Sequence, residues 1–148
     1  MKRLVVLLSI LSLTACTEYW WTRGQAPGPD VLLNRAQERL AENIKTNPQK
    51  RNEVASIASS IESSLLAAVN AKSTSDRSKS IQNSINSFEQ LEGKLAVTSR
   101  APYGELFGQL RTISKSQDVD NDALQLFAAR ALFFLASELE VPAPSFGA

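Results

Sequence analysis

Asp118, Asp120 and Asp122 are the residues whose type and spacing come nearest to a known chemistry. Three carboxylates at alternate positions resemble the start of a calcium loop, but such a loop needs glycine at its sixth position and a bidentate glutamate at its twelfth. Ala123 and Ala129 stand there instead. A helix start explains the same acids through capping and the positive end of the helix dipole. Gly104 and Gly108, four apart, form the second pattern, a spacing that lets helices approach closely. In a polar segment it predicts a closely packed neighbouring helix, or simply a loosened one. The chain has no histidine, so acid–base work near neutral pH would need a strongly shifted Asp, Glu or Lys. Serine and lysine are plentiful, yet no nucleophile elbow, phosphate-cradling loop or well-set carboxylate pair organises them. The expectation is a non-enzymatic protein with no catalytic residues, no metal and no cofactor.

The elements that would position any site must come from 148 residues with Lys+Arg 16 and Asp+Glu 15, one ordinary domain. A balance so near neutral argues against a nucleic-acid footprint. Cys16 is the only cysteine, which removes any internal disulfide framework or thiolate metal cluster.

The N-terminus reads as an address. Lys2 and Arg3 precede an apolar run over residues 4–11 broken only by Ser9, and Leu13-Thr14-Ala15-Cys16 closes it. A charged start, a short apolar stretch and small residues at the end are the parts of a signal peptide. The stretch is too short for a bilayer, whose hydrocarbon core takes about 20 residues of helix.

In this segment the chain resembles bacterial lipoprotein precursors, on the lipobox Leu13-Thr14-Ala15-Cys16. The resemblance covers the first sixteen residues alone. It implies cleavage after Ala15, a diacylglycerol thioether on Cys16 and an N-acyl chain on the same residue. One acyl chain holds only marginally and two or three hold firmly, at roughly 0.8 kcal/mol per buried CH₂. Thr17, where aspartate would signal inner-membrane retention, implies the outer membrane, periplasmic side. Cleavage also removes Lys2 and Arg3, turning the formal charge from +1 to −1. The bilayer is then held through acylated Cys16 and not through charge.

Residues 16–28 are expected as a lipidated tether. Tyr19, Trp20 and Trp21 follow Cys16 closely, within roughly 20 Å even when fully extended. Aromatic rings with a polar edge favour the headgroup level, so these three are candidate membrane-interface residues. The competing reading has Trp20 or Trp21 fold back as a cap on the domain core. Residues 24–29, rich in glycine and proline, form a short irregular linker.

The body, residues 29–141, reads as an all-α, four- to five-helix antiparallel bundle, with residues 142–148 a flexible tail. Leu33, Ala36, Leu40 and Ile44 recur at helical spacing behind Pro29 and Asp30. Asn47-Pro48 predicts the start of a second helix carrying Val54, Ile57, Ile61, Leu65 and Ala68, to about Lys72. A third runs from about Asp76 with Ile81, Ile85, Phe88, Leu91 and Leu95 inward. At 1.5 Å per residue these two would each span roughly 33 to 38 Å. Pro102 opens a fourth, and a fifth covers about 123–141. The serines between Ser56 and Ser87 predict close helix packing through small side chains, with low-complexity disorder as the alternative.

The fifth helix is apolar nearly all round. Leu124, Ala128, Ala131, Leu132, Leu135 and Leu139 form one stripe, and Leu126 and Phe133 lie almost opposite with Arg130 between them. Either the helix is central, with Arg130 paired to a carboxylate or packed on Phe134, or Leu126, Arg130 and Phe133 are a partner-binding patch. Two functions follow. The first is an accessory, docking or assembly module of a larger envelope complex, with an envelope protein as partner. The second is a carrier or sensor of an apolar ligand held among Phe88, Phe107, Phe127 and Phe134.

Overall fold

A computed structural model describes residues 27–46, 52–116 and 118–140. They form α1 (Pro29–Thr46), α2 (Asn52–Val69), α3 (Thr74–Leu91), a short 3-10 turn (Val97–Ser99), α4 (Arg100–Lys115) and α5 (Asn121–Glu140). There is no strand among the described residues. The architecture is an all-α bundle. No described helix is long and apolar enough to cross a membrane.

Each helix buries the stripe its spacing demands. Leu33, Ala36 and Leu40 of α1 are buried, as are Ile61, Leu65 and Ala68 of α2 and Ile81, Ile85, Phe88 and Leu91 of α3. Tyr103, Leu106, Phe107 and Leu110 do the same on α4. Each of the leucine, isoleucine and phenylalanine side chains contributes about 1.5–3 kcal/mol on full burial. Serines tie the α2–α3 hairpin: the Ser84 hydroxyl and that of Ser64 lie 2.8 Å apart, while Ser64 Oγ donates to the Ser60 carbonyl at 3.0 Å.

The first and fifth helices, far apart in the chain, are neighbours in the fold. They pack side by side, and theirs is the most extensive helix contact in the bundle. Asn43 Nδ2 donates to the Ala136 carbonyl at 2.8 Å, which sets the C-terminal ends of α1 and α5 together. Arg39 Nη2 reaches Glu140 Oε1 at 3.3 Å beside it. At the other end, Arg77 donates to the Ala68 carbonyl at 3.3 Å and to the Val119 carbonyl at 3.2 Å. One guanidinium thus joins the end of α2, the start of α3 and the turn into α5.

Several helix boundaries differ from the spacing-based expectation. α2 ends at Val69, not near Lys72, and Asn47-Pro48 lies outside the described residues. α3 begins at Thr74, because the Ser73 side chain accepts the Asp76 N–H at 3.1 Å as a cap. It stops at Leu91, because Glu92 (φ −59, ψ 134) and Gly93 (φ 83) make a type II turn. The Lys94 N–H closes that turn on the Leu91 carbonyl at 3.0 Å. Leu95 is therefore buried from a connection and not from a helix. Both helices have 18 residues and span about 27 Å, shorter than expected. α4 begins at Arg100, two residues before Pro102, whose missing N–H falls within the first turn where no helical acceptor is needed.

Candidate functional site

α5 is both the centre of the bundle and an exposed apolar edge of it. It packs against α1, α2 and α4 and buries Leu124, Phe127, Leu132, Leu135 and Leu139. Beyond its first two residues, Asn121 and Asp122, its exposed positions are Ala123, Leu126, Arg130, Phe133, Ser137 and Glu140. These recur at steps of three and four and so form one narrow crest. Leu126 stays 41% exposed and Phe133 38%, the two large apolar side chains on that crest. The sequence posed a central helix and a partner-binding patch as alternatives; the helix is central, and it leaves Leu126, Arg130 and Phe133 exposed. α1, α2 and α4 cover most of its circumference and leave one edge bare.

The crest is bounded by polar ties. On the α1 side Glu140 is held by Arg39. On the α4 side Arg130 Nη1 donates to Gln109 Oε1 at 3.2 Å. This corrects one of the two expectations for Arg130, which pairs with no carboxylate among the described residues. The residue opposite it on α4 is an amide, so its charge is not neutralised by an ion pair among the described residues. Between α4 and α5 lies an open, mostly apolar groove, lined by Gly108, Thr112, Ile113, Leu126 and Phe127, with Glu105 and Arg130 on its lips.

Gly104 and Gly108 do not admit a neighbouring helix of the bundle. A Cβ built on either would meet nothing within 4 Å, so the close approach expected of their spacing is not made among the described residues.

The rings proposed to line a ligand pocket pack on one another instead. Phe88, fully buried, stacks with Phe107 at 5.7 Å and Tyr103 at 6.0 Å, and meets Phe127 at 6.5 Å. The Arg111 guanidinium lies 4.3 Å from the Phe107 centroid and covers the cluster. Tyr103 Oη donates to the Phe88 carbonyl at 2.5 Å. Burial, then the carboxylates of Glu92 and Glu89, pushes its phenol up to about 12, against a smaller opposing pull from Arg111. Phe134 stays at the edge of the core, half-buried.

Two polar positions escaped the sequence reading. Glu138 is 2% exposed, and its Oε1 accepts the Ala96 N–H at 3.0 Å while Oε2 accepts from Ser99 Oγ. Asn43 is the buried tie between α1 and α5. A glutamate beside Leu135 and Leu139, and an asparagine one turn from Leu40, were the available signals. Asp120 lies just before α5 and Asp122 in its first turn, and among the described residues no three Asp, Glu or Cys side chains are placed to hold a metal ion.

Leu13, Thr14, Ala15 and Cys16, the aromatic Tyr19, Trp20 and Trp21, and residues 142–148 lie outside the described residues. The class defined by what is described is an all-α bundle with an apolar, arginine-bearing crest on its last helix. No protein-family model, no curated protein and no solved structure matches the chain.

Proposed function

We propose that this chain is a non-enzymatic, lipid-anchored lipoprotein of the outer membrane, facing the periplasm, that acts as a docking or assembly module of a larger envelope complex. The anchor is Cys16, by the lipobox Leu13-Thr14-Ala15-Cys16, with Tyr19, Trp20 and Trp21 at the headgroup level. The observation that supports docking is the α5 crest, where Leu126 and Phe133 stay exposed on either side of Arg130. Aromatic and arginine side chains dominate interface energetics, because they bury much area and still keep directional polar contacts. A helix that spends its remaining circumference on core has no internal use for a phenylalanine in water. The apolar-carrier alternative draws no support from the ring cluster, whose members fill the space between them.

Photo-crosslinking in cells tests this, with the probe at Phe133 of the lipidated chain and a control at exposed Glu38 of α1. A discrete protein adduct at Phe133 and none at Glu38 is expected. Equal labelling at both positions, or no adduct at Phe133, overturns the docking reading.

A further inference from the structure

We infer that the α4–α5 face pairs with the same face of a second copy of this chain, antiparallel about a two-fold axis at Gly108. Gly104 and Gly108 stand inside α4 on its exposed side, and a Cβ on either would meet nothing within 4 Å. Glycine inside a helix lowers its stability, and nothing among the described residues uses the space gained. A backbone arriving from outside would. Ala101 and Thr112 extend the same small exposed row along α4.

Charge selects the occupant and its direction. Glu105 and Arg130 stand on the lips of the adjoining groove, and neither has an ion pair among the described residues. Arg130 bonds Gln109, one turn along α4 from Glu105, so both charges lie on the same flank of α4. A two-fold axis perpendicular to α4 keeps that flank facing itself. Each Glu105 then meets Arg130 of the partner copy, and Gly104 faces Thr112 of the partner copy. A parallel pair would place the two α5 helices on opposite flanks and leave both charges unmatched. A self-complementary patch of this kind is what a closed two-fold dimer requires.

The patch is small. α4 spans about 24 Å and a helix is about 10 Å across, so the face offers on the order of a few hundred Å² per copy, below the roughly 800 Å² of a standard stable interface. Pairing is therefore weak in free solution and depends on the concentration that a shared membrane supplies. The inference thus rests on the anchored, docking reading above, and its test uses the lipidated chain in its membrane.

Full-length Gly108→Cys, Ser59→Cys on the exposed side of α2, and the parent chain are oxidised in membranes and resolved without reductant. We expect a dimer band from Gly108→Cys, several-fold stronger than from Ser59→Cys or the parent, whose lone Cys16 is the blank. Adding Glu105→Arg should weaken the band several-fold, and adding Arg130→Glu as well should restore it. A monomeric Gly108→Cys that keeps its helical circular dichroism, or a dimer indifferent to both charge reversals, overturns the inference. A Phe133 adduct to another protein with monomeric Gly108→Cys removes self-pairing alone. A charge-dependent dimer with no foreign adduct at Phe133 removes the envelope partner and leaves the second copy.

Discussion

Glu138, two residues from the end of α5, accepts the backbone N–H of Ala96 at 3.0 Å, forty-two positions earlier in the chain. With Ser99 on its other oxygen, this carboxyl group holds the connection between α3 and α4 against the last helix. Removing a buried acceptor leaves the Ala96 N–H unsatisfied and opens a cavity. Glu138→Ala should lose about 2–4 kcal/mol in urea unfolding, and Glu138→Gln, which keeps volume and one acceptor, clearly less. Equal losses, or none, would show that the connection is held by its apolar contacts.

Tyr103 makes stability pH-dependent on the alkaline side. Its phenol is held up to about 12 in the fold, against about 10 unfolded. The raised value means the fold is favoured below the unfolded pKa, and that advantage is lost as pH rises through the folded one. The melting temperature should fall between about pH 10 and pH 12, and Tyr103→Phe should remove that part of the fall. An unchanged alkaline profile in Tyr103→Phe would place the dependence elsewhere.

Glu62 works in the same direction at lower pH. Burial against α2's neighbours raises its carboxyl pKa, and it has no ion pair among the described residues. The ionised form is disfavoured in the fold, so stability contributed below the unfolded pKa is lost as pH rises through the folded one. Glu62→Gln should therefore melt higher than the parent at pH 7, with the gap closing as the pH drops through the carboxylate range. A lower melting temperature at pH 7 would contradict this.

Phe88 and Phe133 separate core from crest. Phe88→Ala removes the centre of the ring stack and should cost about 3–5 kcal/mol. Phe133→Ala removes a ring that is 38% exposed and should cost only about 1 kcal/mol, the share of a buried phenylalanine that its partial cover supplies. Denaturant midpoints decide it, and a large loss at Phe133 would make it part of the core.

Two glycines should respond with opposite signs. Gly93 holds φ 83, which strains any residue with a Cβ, so Gly93→Ala should lose about 1 kcal/mol or more. Gly108 is helical with open space around it, so Gly108→Ala should gain about 0.5–1 kcal/mol in the dilute, unpaired chain. Thermal melts of both variants check the pair.

Much of this fold was legible because a helix writes its buried face into the chain at steps of three and four. Leu33, Ala36 and Leu40, or Leu124, Ala128 and Leu135, needed only that period. Leu126, Arg130 and Phe133 could be singled out for the same reason, since they oppose the buried stripe of α5. Boundaries were less legible, because single hydrogen bonds settle them: the Ser73 cap starts α3 and the Glu92-Gly93 turn ends it.

What only the tertiary structure decided are contacts between residues far apart in the chain. Which helix α1 would lie along was set by Asn43 and Ala136, ninety-three positions apart. Arg130 found Gln109 because α4 turns back beside α5, and Glu138 found Ala96 by the same return. Local periodicity carries which face is buried, since that depends only on neighbours one turn away. It carries nothing about who covers that face, because a partner is chosen by the packing of whole helices and the pairing of their few buried polar groups.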